Sequence, residues 1–462
     1  MKIEKFKTLL LILLIGLSIY QTSQLWFQPF LATGESEEEV VVIEDIYIWD
    51  KIKPEKISIF NDENITTYKE EYCDEIWIEF IEIFENLLKE EIEIAKIDNI
   101  DFSGIEISLP NPLPKELFVE GLNIENTEFS NNVNTIKSFY IPEEENTVII
   151  ENKEGNYIKL TTNIEIDKDN INNVSEKIKE NSDYIYNEEI NGNIINVFIP
   201  VDEKIMNPVI VKSEINIEDE EYITDIARTY YGDNYDYVRK SVESNSSVNY
   251  VFKNEKVLRI NSDGLLEFYN TAENTIGEND VYRSFLLALR FTEDFLGYPE
   301  NAYLSKVDNI QVDGNFGFRF SFDYKILNRP IIFSQVRDER ALEIEIVGEE
   351  VILYKRFIRI IDLSDPTLME EKTAMNPMDI LRENIELLAL IQIEEGKADL
   401  EDEDIIQNSI LNSIEEIYLG YYDPSRKLSE QLIRSVWVMK TKEERYIFNA
   451  ITGNLIEIQN ID

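Results

Sequence analysis

Histidine is absent from this chain, and the chain contains a single cysteine, Cys73. Without histidine, serine or cysteine nucleophiles that depend on a histidine base are excluded, as are zinc and iron sites that need imidazole ligands. One cysteine permits no disulfide within the chain and no cysteine-rich metal site. We therefore expect Cys73 to be a small buried hydrophobic residue rather than a nucleophile.

Positive charge is also scarce. The 462 residues include 44 Lys and Arg against 92 Asp and Glu, which makes the formal net charge -48 at pH 7. A surface this acidic repels phosphate backbones and anionic lipid headgroups, so the sequence argues against a nucleic-acid partner. Solubility explains the charge better than a specific cation site, because net charge bears on solubility rather than on sites.

The apolar content is that of a folded protein. Hydrophobic residues make up 43% of the chain and aromatic residues 11%, which supplies ample material for packed cores. At about 150 residues per domain, the length suggests about three domains.

The first 30 residues have the pattern of a membrane anchor. Three lysines precede an apolar run over residues 8–20, and the positive flank is expected to stay in the cytoplasm. Extending the run to residue 27 reaches the length that a bilayer needs. A cleaved signal peptide is the alternative, but no clean A-x-A site follows. The sequence therefore predicts a single-pass protein of the cell membrane, with the N-terminus cytoplasmic and the bulk of the chain extracellular.

Polar residues within the predicted anchor indicate a second role for this helix. Ser18, Gln21, Thr22 and Leu25 fall on one helical stripe, and polar side chains in membrane helices tend to face another helix. A position in the headgroup region explains Gln21 and Thr22 equally well. The predicted membrane and partner interface comprises Lys2, Lys5, Lys7, Ser18, Gln21, Thr22, Leu25 and Trp26.

Beyond the anchor, short strand patterns alternate with amphipathic helical patterns. This order predicts an α+β fold in which antiparallel sheets pack on helices. Helices are predicted over 68–96 and 280–295 from their 3.6-residue period, and a three-stranded meander is predicted between 434 and 458. The predicted parts are residues 1–34 (cytoplasmic tip, anchor and start of the linker), 35–208, 209–362 and 363–462.

Motifs for catalysis or metal binding are weak. Asp167, Asp169 and Asn170 suggest a calcium loop, but Asn172 and Ile178 stand where an EF-hand needs glycine and glutamate. No glycine-rich phosphate loop is present, and no S-x-x-K motif occurs with its supporting motifs. Among 92 acidic residues, carboxylate pairs that would suit a glycosidase are expected by chance. We therefore predict no catalytic residue, no cofactor and no metal.

Several stretches, taken in order, resemble the YycH family. They are residues 7–26, the segment KPEKI at 53–57, the segment ISLPNPLP at 107–114, and residues 229–265 from TYYGD to SDGL. Residues 436–453, from VWV to NAITG, look like a PepSY- or YycI-type module.

The resemblance implies a membrane-tethered, three-domain, non-enzymatic regulator. Members act on the WalK/WalR (also YycG/YycF) two-component system of low-GC Gram-positive bacteria, which controls cell-wall homeostasis. They pair with the related regulator YycI and with the sensor kinase, largely through transmembrane helices. By this resemblance the stripe at Ser18, Gln21 and Thr22 is a candidate kinase-facing surface.

Two other functions remain open from the sequence. A cell-wall-associated enzyme or ligand-binding protein predicts a deep pocket with converging carboxylates. A PepSY-like protease inhibitor or folding factor, suggested by the C-terminal meander, predicts activity that survives removal of the anchor.

Overall fold

A computed structural model describes residues 47–60, 65–68, 73–100, 103–143, 146–163, 165–166, 168, 184–190, 193–200, 204–206, 208–253, 255–271, 280–335, 340–362, 371–394, 396, 403–424 and 428–461. The predicted anchor lies outside these residues, as do Asp167, Asp169 and Asn170. From Ile48 onward the chain forms one compact unit. The predicted division at residues 208 and 362 stays a prediction.

The N-terminal part is a seven-stranded antiparallel sheet with one long helix. Its strands are Lys56–Phe60 (β1), Ile65–Tyr68 (β2), Ile92–Ile97 (β3), Gly104–Pro114 (β4), Thr135–Pro142 (β5), Thr147–Glu151 (β6) and Tyr157–Thr162 (β7). They are ordered β2-β1-β4-β5-β6-β7-β3. The helices are Cys73–Lys89 (α1), Glu116–Val119 (α2) and Thr127–Asn132 (α3).

Helix α1 forms where apolar residues recur every three to four positions, and it buries that face, including Ile76, Trp77, Phe80 and Phe84. Cys73, at its first position, is buried as predicted. The predicted helix over 68–96 is too long at both ends, because Tyr68 belongs to β2 and Ile92–Ile97 pairs with β7 as a strand. The period changes there from 3.6 to 2, which favours a strand.

Aromatic rings fill the space between α1 and the first sheet. Phe139 on β5 lies 4.6 Å from Phe80 and 5.2 Å from Phe84 between ring centroids. Phe118 on α2 closes the cluster at 5.5 Å from Phe139. The Trp77 indole N–H donates to the Trp49 carbonyl at 3.1 Å, which satisfies the one polar atom of that ring.

Two small two-stranded sheets lie beside the larger ones. One is the hairpin of Tyr184–Ile190 (β8) and Asn193–Pro200 (β9). In the other, Lys204–Met206 (β10) pairs with Glu371–Thr373 (β22).

A 15-stranded sheet contains the remaining strands. They are Val209–Ser213 (β11), Arg239–Val242 (β12), Val248–Phe252 (β13), Lys256–Ile260 (β14), Leu266–Asn270 (β15), Ala302–Val312 (β16), Asn315–Ile326 (β17), Arg329–Phe333 (β18), Leu342–Val347 (β19), Glu350–Arg356 (β20), Arg359–Ile361 (β21), Glu416–Asp423 (β23), Glu430–Lys440 (β24), Glu444–Asn449 (β25) and Leu455–Asn460 (β26). Its strand pairs are antiparallel except for β18 with β23. That parallel pair and the antiparallel pair of β11 with β24 join the strands before residue 362 to the C-terminal strands.

Four helices complete the described structure in this half of the chain. They are Glu220–Tyr231 (α4), Val281–Leu296 (α5), Pro377–Glu394 (α6) and Glu403–Ser413 (α7). A 3₁₀ helix, Gly232–Tyr237, follows α4. Asp280 caps α5 by accepting from the Arg283 N–H at 2.9 Å. The predicted helix over 280–295 and the predicted meander are both confirmed, and the fold is α+β with antiparallel sheets.

Candidate interaction surfaces

All eight residues of the predicted membrane and partner interface, from Lys2 to Trp26, lie outside the described residues. Their arrangement therefore stays a prediction. Among the helices that the structure does describe, none combines the length and the apolar character needed to cross a membrane.

Helix α6 carries an exposed apolar stripe on the side that faces away from the core. Its buried side, which includes Met378, Leu381, Ile385 and Leu388, packs against the C-terminal meander. On the opposite side Leu387 is 44% exposed and Leu390 is 53% exposed. This outer side is mixed in character, because the two leucines lie among exposed acidic residues.

Glutamates bracket those two leucines. Glu383, Leu387, Leu390 and Glu394 are spaced by four, three and four residues, so they fall on one side of the helix. We call these four residues the α6 stripe. Both glutamates are exposed. Ile405, in the first turn of the contacting helix α7, is a further exposed apolar residue at 65%.

The start of α6 is set by its sequence. The Asn376 side chain accepts from the Met378 N–H at 2.8 Å, and Pro377 occupies the first helical position, where the missing N–H costs nothing. The indole N–H of Trp437 donates to the Met375 carbonyl at 2.8 Å and ties this end of the helix to β24. These contacts fix the start of α6 against β24.

Two buried arginines, Arg356 and Arg359, form ion pairs with Glu214 and Asp423 near the ends of β11, β20 and β21. We call these two pairs the ionic junction. Arg356 donates to both carboxylate oxygens of Glu214, at 2.8 and 2.7 Å, and to the Gly297 carbonyl at 2.6 Å. Burial lowers the pKa of Arg356, but the hydrogen bonds and charge of Glu214 outweigh it and raise the pKa overall. This pair ties β20 to the segment that follows β11.

The second pair of the junction is Arg359 with Asp423. Both side chains are 0% exposed, and Arg359 Nε lies 3.4 Å from the Asp423 carboxylate. The Arg359 guanidinium also donates to the carbonyls of Asp263 and Ser429, and it lies 4.5 Å from the ring of Phe357. Because Asp263, Asp423 and Ser429 come from parts of the chain distant from Arg359, this side chain fixes the geometry where those parts meet.

A cavity of about 410 Å³ opens between the start of α4 and the turn after β12. Its lining includes Lys240, Asn245, Ser262 and the carboxylate residues Glu218 and Glu220. Both glutamates are exposed, so they do not form the converging, desolvated carboxylates that an enzyme site on cell-wall material would need. Within the described part of the chain, no group of acidic or cysteine side chains is placed to hold a metal ion.

Glu120, at the end of α2, has a strongly shifted pKa. Burial, followed by the charges of Asp280 and Glu116, raises the pKa of Glu120 to about 7. Asp280 begins α5, so this carboxylate cluster lies where the first sheet's helices contact the second half of the chain. The residue retains substantial exposure, and solvent screens part of the effect.

Comparison with known proteins bears on the N-terminal part. The family described as "YycH protein, N-terminal domain" matches residues 4–183, which confirms the YycH resemblance inferred from the sequence. No curated protein matches the chain.

Two solved structures show a distant likeness. An uncharacterized protein from Eubacterium rectale ATCC 33656 has 15% sequence identity and a TM-score of 0.39, over 63% of this chain and 100% of that one. The Bacillus megaterium YpeB C-terminal domain has 12% identity and a TM-score of 0.26, over 53% of this chain and 98% of that one. TM-scores this low do not establish a common fold, so the PepSY- or YycI-like character of residues 363–462 stays a prediction.

Proposed function

We propose that the protein regulates a sensor histidine kinase, on the premise that residues 4–183 match the YycH N-terminal domain family. The kinase is of the WalK (YycG) type, in the two-component system that controls cell-wall homeostasis. The family match is the observation that carries this proposal.

We place the protein at the cell membrane as a single-pass protein with an extracytoplasmic bulk. Two observations support this placement. The lysines and apolar run at the N-terminus have the charge order of an anchor with its positive end in the cytoplasm. The family match also begins at residue 4 and so includes that segment.

The proposed partners are the kinase and a YycI-like regulator, contacted partly through the anchor helix. The residues assigned to this contact are Lys2, Lys5, Lys7, Ser18, Gln21, Thr22, Leu25 and Trp26. Polar side chains in a membrane helix gain hydrogen bonds when they face another helix, which favours the stripe at Ser18, Gln21 and Thr22 as the working side.

The mechanism is thermodynamic linkage rather than catalysis. A regulator changes kinase output only if it binds the kinase's two signalling states with different affinity. A coupling free energy of about 1–3 kcal/mol between regulator and kinase is sufficient. This role needs rigid contact surfaces and no reactive group, which agrees with a chain that lacks histidine.

The test exchanges the anchor. The full-length protein is crosslinked in its native membrane beside a version whose first 30 residues are replaced by an unrelated single-pass helix. We expect the sensor kinase and a YycI-like protein to co-purify with the native chain and to be lost, or strongly reduced, with the exchanged anchor.

A finer variant replaces Ser18, Gln21 and Thr22 together by leucine, which keeps the helix apolar while removing its hydrogen-bonding groups. Loss of kinase association in this variant supports the assigned stripe. If association and regulon output are unchanged, the stripe is wrong. If neither protein co-purifies with the native chain, the regulatory proposal itself fails.

A further inference from the structure

The α6 stripe places two exposed leucines between two glutamates, on a helix whose other side packs into a core. Single exposed leucines are common on protein surfaces and by themselves indicate nothing. Leu387 and Leu390, however, are three residues apart on one side of a helix about 27 Å long, with the half-buried Ile391 beside them. The same side also carries the exposed residues Asp379, Glu383, Glu386 and Glu394, so the two leucines form an apolar patch with an acidic rim.

We propose that the α6 stripe is a docking surface for an amphipathic helix of another protein, one whose apolar side is flanked by lysine or arginine. The stripe offers two leucine anchors at helical spacing, which is the pattern that helix-to-helix recognition uses. This inference adds a contact outside the membrane to the proposed function and does not depend on which protein the anchor binds.

The charges around the leucines specify the chemistry of the partner. Glu383 and Glu394 bracket them along the helix, and Glu386 is exposed one residue before Leu387. The cation on the same helix, Arg382, forms an ion pair with Asp379 at 2.7 Å. A partner with lysine or arginine beside its apolar residues would meet these glutamates with complementary charge.

A second copy of the chain does not fit this surface. If two α6 stripes packed antiparallel with Leu387 against Leu390, Glu383 of one copy would face Glu394 of the other. A parallel pairing in register would place each glutamate against its own equivalent. Like charges are destabilising in either arrangement, and the net charge of -48 adds long-range repulsion.

An anionic lipid surface does not fit either. The apolar part of the stripe is short, and the glutamates on both sides of it would be repelled by acidic headgroups. A basic helix from a protein is the occupant that satisfies both the leucines and the glutamates.

The test uses a defined probe. It is a fluorescent helical peptide of about 20 residues with leucine at the a and d heptad positions and lysine at e and g. A matched peptide carries glutamate at e and g. Binding is measured by anisotropy to the full-length protein in phosphatidylcholine nanodiscs at about 0.15 M ionic strength. Empty nanodiscs give the background from lipid.

We expect the lysine peptide to bind saturably and the glutamate peptide not to bind. Replacing both leucines (Leu387→Ser with Leu390→Ser) is expected to weaken binding at least about 10-fold, as for the central anchors of an interface. The matched control is Leu432→Ser on β24, since Leu432 is 43% exposed, close to the 44% of Leu387, but lies on another element. This control is expected to bind like the native chain.

All three substituted residues are exposed, so we expect the variants to fold. Their melting temperatures are compared with that of the native chain before binding is measured. Equal binding by the native chain and the double leucine variant would overturn the proposal, because attraction would then come from the overall charge. Absence of saturable binding by the lysine peptide would also overturn it. So would a dimer in sedimentation velocity that the leucine substitutions abolish, since the occupant would then be a second copy.

Discussion

The aromatic core of the first sheet and the ionic junction of the large sheet are both buried, yet they hold the chain in different ways. Phe80, Phe84 and Phe139 are each 0% exposed and contact one another through their rings. Arg359 and Asp423 have equally buried side chains and meet through charge and hydrogen bonds. Apolar burial is nearly non-directional, whereas a buried charge depends on the presence and position of its partner.

The two regions should therefore tolerate substitutions differently. In the aromatic core, removing part of one ring loses contacts in proportion to the atoms removed. In the junction, removing one charge leaves the other desolvated and unpaired, so the loss exceeds what the pair itself contributes. In the junction, replacing both partners should therefore destabilise the protein less than replacing the arginine alone. In the aromatic core, replacing two rings should destabilise it more than replacing one.

The largest effect is expected for Arg359→Met. It leaves the Asp423 carboxylate buried without its cation, and we expect the free energy of unfolding to fall by about 3–5 kcal/mol. The measurement is urea denaturation followed by both tryptophan fluorescence and circular dichroism, since a chain of this length need not unfold in one step.

The sharper result comes from the pair Arg359→Met with Asp423→Leu. We expect it to be less destabilised than Arg359→Met alone, because no unpaired charge remains. Recovery is partial, since the carbonyls of Asp263 and Ser429 lose their donor. A double variant less stable than either single variant would contradict the contrast drawn between the two regions.

A smaller loss is expected for Phe139→Leu in the aromatic core, at about 1.5 kcal/mol. Phe139 contacts Phe80 at 4.6 Å, and the variant that carries Phe80→Leu as well should be less stable than either single variant. Urea midpoints for the four members of this cycle check the expectation. If the second substitution restored stability, the aromatic core would share the behaviour assigned to the ionic pair.

The smallest effect concerns Glu120, at the contact between α2 and the start of α5. Its pKa is raised to about 7, so between pH 4.5 and pH 7 the folded state binds more protons at this residue than the unfolded chain. The contribution of Glu120 to stability is therefore favourable near pH 4.5 and is lost as the pH rises through 7.

We expect Glu120→Gln to remove this pH dependence. At pH values above 7 it should also raise the melting temperature slightly. Melting temperatures of the native and variant proteins over that pH range provide the measurement. The matched control is Glu154→Gln, in the exposed turn after β6, which should leave the pH dependence unchanged. Equal pH profiles for all three proteins would show that solvent screens the cluster at Glu120 completely.

The sequence predicted the elements that have a clear period. The helix at 280–295, the meander at 434–458 and the burial of Cys73 all followed from local pattern and hydrophobicity. The predicted end of α1 was wrong because the helix was extended over Ile92–Ile97, an alternating run that pairs with β7 as a strand. This short alternating run acquires its conformation from a partner strand whose paired residues lie 60 to 70 positions away in the chain.

The α6 stripe and the ionic junction also differ in how far the sequence predicts them. The α6 stripe is visible in the sequence as leucines between glutamates, but sequence alone does not say which side of an apolar helix faces the core. The ionic junction has no local signature, since Arg359 and Asp423 are 64 positions apart among 92 acidic residues.

The sequence by itself determined the acidity, the absence of histidine chemistry, the predicted anchor and the α+β class, because composition, charge order and hydrophobic period are local properties of the chain. Only the tertiary structure decided that β18 and β23 join the two groups of strands in one sheet, which arginines become buried with which carboxylates, and which leucines of α6 stay in solvent. These outcomes depend on strand pairing and packing between distant segments, and burial is a property of that assembly rather than of any one residue.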